Sequence, residues 1–107
     1  MTCRTLTVPI QAGRLKLTVR YEDLPVERCL TYATRQNPRR LYLFVSKVLG
    51  KHWPVRPSVM RDIHARLAAK IAALPGPLLV MGMAETATAL GRGVAEEAAA
   101  RAGRDDV

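Results

Sequence analysis

Leu41-Tyr42-Leu43-Phe44-Val45-Ser46-Lys47-Val48-Leu49-Gly50-Lys51-His52-Trp53-Pro54-Val55-Arg56-Pro57-Ser58 carries the reading of the fold. Its first five residues are apolar with little alternation, the pattern of a strand buried on both faces in a parallel sheet. Residues 46–57 turn polar and are punctuated by Gly50, Pro54 and Pro57, which makes them a loop at the carboxyl end of that strand. Ser58 stands where a helix cap is wanted, and Met60, Ile63, Leu67, Ile71 and Leu74 follow as one apolar stripe. Pro75-Gly76-Pro77 stops that helix, and Leu78-Leu79-Val80-Met81 repeats the buried-strand pattern. Gly82 and a run of small residues then lead into an alanine-rich helix ending near Gly103. Strand, loop and helix twice over predict the α/β class with a parallel sheet.

Upstream, Leu6, Val8 and Ile10 alternate with polar residues, as do Leu15, Leu17, Val19 and Tyr21 beyond Gln11-Ala12-Gly13. Period two on both sides of a short glycine-containing connection predicts a β-hairpin extension over residues 1–24, with Pro9 placing the first strand at an edge. Val26, Cys29, Leu30 and Ala33 have helical spacing after Pro25, so a helix is expected there, ending before Asn37-Pro38. The 107 residues make one domain. Two core strands and a hairpin would leave an apolar sheet edge, and the chain stops at Val107 just after a helix. The chain is therefore expected to be the N-terminal portion of a larger domain.

Composition narrows the class. Apolar residues at 49% and charged residues at 24% are a globular balance, not a disordered one. The longest uncharged stretch, residues 71–84, is broken by Pro75, Gly76 and Pro77 and is too short to span a bilayer. With no secretory pattern and only two cysteines, Cys3 and Cys29, the chain reads as cytoplasmic with free thiols, Cys29 packed in a core. Seventeen Lys and Arg against nine Asp and Glu give a net charge of +8, which invites nucleic acid. The cations are scattered along the chain, only Arg39-Arg40 are adjacent, and aromatic residues are 5%, so a small phosphorylated ligand is the stronger reading.

In open α/β sheets ligands lie beyond the carboxyl ends of the strands, where two loops fall here. The first gathers Ser46, Lys47, Gly50, Lys51, His52 and Arg56, a cationic loop suited to phosphate or carboxylate. The second, Gly82-Met83-Ala84-Glu85-Thr86-Ala87-Thr88, enters a helix N-terminus, whose unpaired N–H groups and dipole favour an anion. Thr86 and Thr88 offer hydroxyl donors or a helix cap, both readings standing side by side. Glu85 suits a divalent cation, a ribose hydroxyl or an amine. The loop is not a Walker loop, lacking Gly-Lys-Ser/Thr. His64 borders the apolar stripe and reads as packing, and Trp53 as packing or ligand stacking.

Asn37-Pro38-Arg39-Arg40, Phe44 through His52, Pro54-Val55-Arg56-Pro57 and Met81 through Ala87 with Leu90-Gly91 together resemble a bacterial phosphoribosyltransferase family. Its members are similar to orotate phosphoribosyltransferase and accompany tellurite-resistance and stress gene clusters. The likeness covers roughly residues 25–107. It implies the type I phosphoribosyltransferase fold, a parallel-sheet Rossmann-like architecture. It also implies that residues 82–88 hold pyrophosphate and that Lys47 and Lys51 lie near the phosphates of phosphoribosyl pyrophosphate, with Mg²⁺ as cofactor. The family's ribose-phosphate motif, two acidic residues within apolar ones followed by Thr-Gly, is missing. Asp105-Asp106 follows Gly103-Arg104 and has no Thr-Gly after it.

The expected function is transfer of phosphoribosyl to or from a nitrogenous base, with catalysis incomplete in this chain. A basic nucleic-acid-binding module and a non-catalytic partner subunit are the alternatives, and a homodimer or complementary chain is expected to cover the sheet edge.

Overall fold

A computed structural model describes residues 3–107 as two compact units, Met1–Lys47 and Val48–Val107.

The first unit opens with the expected hairpin. Strand β1 (Arg4–Ile10) pairs antiparallel with β2 (Gly13–Val19), from Arg4 opposite Val19 to Ile10 opposite Gly13. Gly13 at φ 144° closes the two-residue turn, a conformation that side chains other than glycine's strain to adopt. Tyr21 lies beyond the ribbon and is exposed. Helix α1 (Val26–Cys29) is a single turn, not the longer helix expected. Val26, Cys29, Leu30 and Ala33 match helical spacing, but Leu30-Thr31-Tyr32-Ala33-Thr34 is rich in residues that favour strands. It forms β3 (Leu30–Thr34), paired antiparallel with β4 (Tyr42–Ser46). Tyr32 sits opposite Phe44, their rings edge to face at 5.6 Å, a cross-strand pair that a helix would forfeit. Cys29 is half-buried rather than a core residue.

Both sheets are two-stranded and antiparallel, and a parallel sheet is not among the described residues. The chain reverses between β3 and β4, where Arg35 N–H donates to Leu41 O at 2.8 Å and the Asn37 side chain accepts Arg39 N–H at 2.8 Å. That turn lays the apolar run 41–45 back along its own neighbour. Phe44 remains exposed, so β4 is not covered on both faces.

The second unit is built on two helices, α2 (Pro57–Ile71) and α3 (Thr88–Ala102). Pro57 fills the first position of α2 and Arg56 is its N-cap residue, so Ser58 lies inside the first turn and is not the cap. The buried seam is narrower than the expected leucine stripe. Ala68 and Ala72 of the α2 end meet Val94 and Ala98 of α3, while Leu67 and Leu74 stay largely exposed. Small side chains let two helices approach closely, and the larger residues flank the contact. Gly103 at φ 61° ends α3 as expected, with Arg104 N–H returning to Ala99 O at 2.9 Å.

Residues 78–81 form no strand, because the described residues of this unit offer no strand to pair with. Burial still alternates along them: Val80 packs toward the core, whereas Leu79, Met81 and Met83 are 84%, 77% and 77% exposed. Leu78 N–H donates to Asp106 O at 2.8 Å, and Val107 packs against the alanine seam. Among the described residues no helix is long and apolar enough to cross a membrane.

Candidate functional site

Within the second unit the two expected loops meet. Lys51, from the loop before α2, places Nζ 3.3 Å from Glu85 Oε1 in the loop before α3. The Lys51 side chain is about one-third exposed and that of Glu85 is almost fully exposed. A pair this wet contributes little to stability, and either partner exchanges readily for another ion.

Glycine shapes both loops. Gly50 takes φ 79°, and a Cβ there would fall 2.7 Å from the Met60 sulfur, so the loop is pressed against the first turns of α2. His52 also has positive φ, 67°, and its side chain is exposed. Gly82 lies against the backbone of Ala87 and Gly91, a backbone-to-backbone approach that leaves no room for a side chain. The loop then turns through hydrogen bonds from Ala87 N–H to Met83 O, 3.0 Å, and from Thr88 N–H to Glu85 O, 3.5 Å. The peptide between Ala84 and Glu85 is cis.

The residue before α3 is Ala87, and no side chain caps that helix, so neither Thr86 nor Thr88 fills the capping role. The start of α3 thus has no side-chain cap, and the positive end of its dipole lies three residues beyond Glu85 in the chain. Arg56 contributes its carbonyl to α2, accepting Val59 N–H at 3.0 Å, and its side chain is exposed. Trp53 is exposed at the surface of the same loop.

Ser46 and Lys47 belong to the other unit. Ser46 closes β4 opposite Leu30. Lys47 N–H donates to Cys29 O at 2.7 Å and its ammonium to Glu27 O at 3.1 Å, which ties it to α1. His64 packs beside Gly93 of α3, where even a methyl group would overlap its ring, in agreement with a packing role. Asp106 is held by Arg104 through two hydrogen bonds of 2.6 and 2.8 Å, which lower its pKa below the ordinary range. The same guanidinium donates to Leu74 O at 2.6 Å and Ala72 O at 3.2 Å, so Arg104 and Asp106 fasten the chain end to the end of α2. The sequence carried no signal for that clasp beyond the Arg-x-Asp spacing.

A cationic loop and a glycine loop thus meet before α3 at the Lys51–Glu85 contact. The family model of the phosphoribosyl transferases matches residues 29–105, and the chain belongs to that family. No curated protein and no solved structure matches it.

Proposed function

We propose that this chain binds phosphoribosyl pyrophosphate or pyrophosphate and serves transfer of the phosphoribosyl group to or from a nitrogenous base. The single observation that carries the reading is the 3.3 Å contact joining Lys51 to Glu85 at the start of α3, in a chain of the phosphoribosyl transferase family. In the reaction the bond from ribose C1 to a pyrophosphate oxygen breaks, that oxygen keeps the electron pair, and a C1–N bond to the base forms. Those amides of residues 82–88 that are not donated to Met83 O and Glu85 O would receive the leaving pyrophosphate. Lys51 would turn from Glu85 to phosphate, with His52 and Arg56 as further donors.

The residues fit Mg²⁺ of the kind held chiefly by phosphate oxygens. The described residues contain no cluster of three metal-ligating side chains, but Glu85 offers one accessible carboxylate, paired with Lys51. Glu85 would hold Mg²⁺ together with the pyrophosphate, and the ion would neutralise charge developing on the leaving group. The likeness to orotate phosphoribosyltransferases and the link to tellurite-resistance clusters belong to this proposal, as does a parallel sheet completed around residues 78–81.

The test is thermal. Saturating pyrophosphate at 100 times its Kd adds about 2.7 kcal/mol, a rise of about 10–20 °C for a domain of this size. Combining Lys51→Ala with Arg56→Ala is expected to abolish the rise, and Glu85→Gln to remove only its Mg²⁺-dependent part. An undiminished rise in the double variant would take those two residues out of the site.

The exposure of Leu79, Met81 and Met83 favours one addition: a second copy or a complementary chain covers this apolar segment. Light scattering that returns the mass of one chain at every concentration would refute the homodimer.

A further inference from the structure

Net positive charge is concentrated in the first unit. The Met1–Lys47 unit holds nine of the seventeen Lys and Arg but only three of the nine acids, and so six of the eight net charges. Two of those three acids, Glu22 and Glu27, are both engaged by Arg4, at 2.7 to 2.9 Å.

Three of the other cations line an open cavity of about 360 Å³ between the β1–β2 turn and the segment entering β4: Arg14, Arg39 and Arg40, with Tyr42. Leu15 and Leu41 supply apolar wall. The frame is built. Ala12 N–H donates to Thr34 Oγ1 at 3.2 Å and moors the hairpin turn to β3. Asn37 accepts Arg39 N–H on its side chain and Arg40 N–H on its carbonyl, fixing where the two arginines leave the chain. The Arg40 guanidinium carbon stands 5.9 Å from the centre of the Tyr42 ring.

Among the described residues none of these three guanidiniums has a carboxylate partner. Three like charges around one cavity repel, and a bound polyanion relieves that repulsion. Guanidinium forks match phosphate oxygens, while the Tyr42 ring and the Arg40 plane offer faces on which a base stacks. The volume is that of a small-ligand cleft.

We propose that this cavity binds nucleotide phosphates, as a free nucleotide or as successive nucleotides of a single strand. The site is separate from the loops assigned above, and its failure would leave the pyrophosphate reading intact.

The experiment uses the full chain, a fluorescein-labelled 12-nucleotide oligouridylate read by anisotropy from 50 to 300 mM salt, and UMP by calorimetry. Substituting Arg14→Gln, Arg39→Gln and Arg40→Gln together is expected to weaken binding at least 10-fold. It should also reduce the log–log salt slope by about 2, at about 0.7 per single-strand phosphate. Arg61→Gln, Arg92→Gln and Arg101→Gln together remove the same charge from the other unit and should change affinity less than 3-fold. Tyr42→Leu should cost about 10-fold, one stacked base. The pyrophosphate-induced melting rise should survive in the Arg14/Arg39/Arg40 variant. Tighter binding of the strand than of UMP assigns the site to nucleic acid, and equal affinities assign it to free nucleotides. Absence of saturable binding by either probe, or equal losses in the two charge-matched variants, overturns the proposal.

Discussion

Gly91→Ala tests the contact on which the glycine loop rests. Gly91 lies on α3, where alanine in place of glycine ordinarily gains about 1 kcal/mol. Here the added Cβ would stand 2.6 Å from Gly82 N and 2.8 Å from Gly82 Cα, against an ordinary separation of about 3.5–4 Å. Both obstructing atoms are backbone, so no side-chain rotation makes room, and loop and helix must part by about 1 Å. Overpacking of this kind costs about 1–3 kcal/mol, and the contact is at the severe end. After the helix gain the variant should be about 1–2 kcal/mol less stable, with a melting temperature about 5–15 °C lower. Urea denaturation followed by circular dichroism measures it. The helix gain is calibrated by adding Gly93→Ala to a His64→Ala background, where the obstructing ring has been removed. A Gly91→Ala protein as stable as wild type, or more stable, would refute the backbone crossing.

Three further outcomes follow from the hydrogen bonding. Tyr32 has a buried hydroxyl without a partner, and burial raises its pKa, so Tyr32→Phe should be neutral or stabilising by about 1 kcal/mol in denaturant titration. Arg4 holds Glu27 down to about pKa 2 and Glu22 below its ordinary range through charge-assisted hydrogen bonds. Their stabilisation is therefore fully present above the ordinary glutamate pKa of 4.5 and is lost as pH falls toward 2; Arg4→Met should flatten that part of the acid unfolding profile. Arg104→Met releases two carbonyls and Asp106 at once and should lower the melting temperature measurably, whereas Arg92→Met, which breaks only an exposed helical pair with Glu96, should not.

The elements that could be read from sequence were those whose signal is local. Alternation of Leu6, Val8 and Ile10 against Leu15, Leu17 and Val19 has no helical equivalent, and the hairpin formed where it was expected. Gly103 ended α3 as read because the left-handed turn it permits is a local demand, whereas α2 begins at Pro57 and not behind a Ser58 cap. Residues 30–34 misled because four apolar positions spread over eight residues fit two periods, and the deciding partner, Phe44, lies across a turn. The alanine seam was hidden for a related reason. Hydrophobic size pointed to Leu67 and Leu74, but a close helix crossing selects small residues, and only the packed pair reveals that it is close. Of the candidate site, both loops were legible as loops; the Lys51–Glu85 contact was not, since 34 residues separate the partners. The charge excess of residues 1–47 can be counted in the sequence; the placement of Arg14, Arg39 and Arg40 around one cavity cannot, since it depends on how the hairpin turn meets the segment before β4.

Gly82 and Gly91 show why loop chemistry and helix packing here are one problem. In sequence the first reads as a flexible loop residue and the second as a weak point in a helix. In the fold each removes the side chain that would keep the other away, and the carbonyl of Ala87 closes the same contact. Three residues after Gly82 comes Glu85, so the carboxylate reaching Lys51 is positioned by backbone pressed onto α3. An exposed ion pair is too weak to fix two loops by itself. The position of the loop must come from the glycine crossing, with the ion pair reporting it. Under the proposed function this division is useful, because Lys51 and Glu85 can then exchange partners for phosphate and metal while the amides of residues 82–88 stay in place. A variant that wedges the crossing apart should lose pyrophosphate stabilisation even with both charged residues intact.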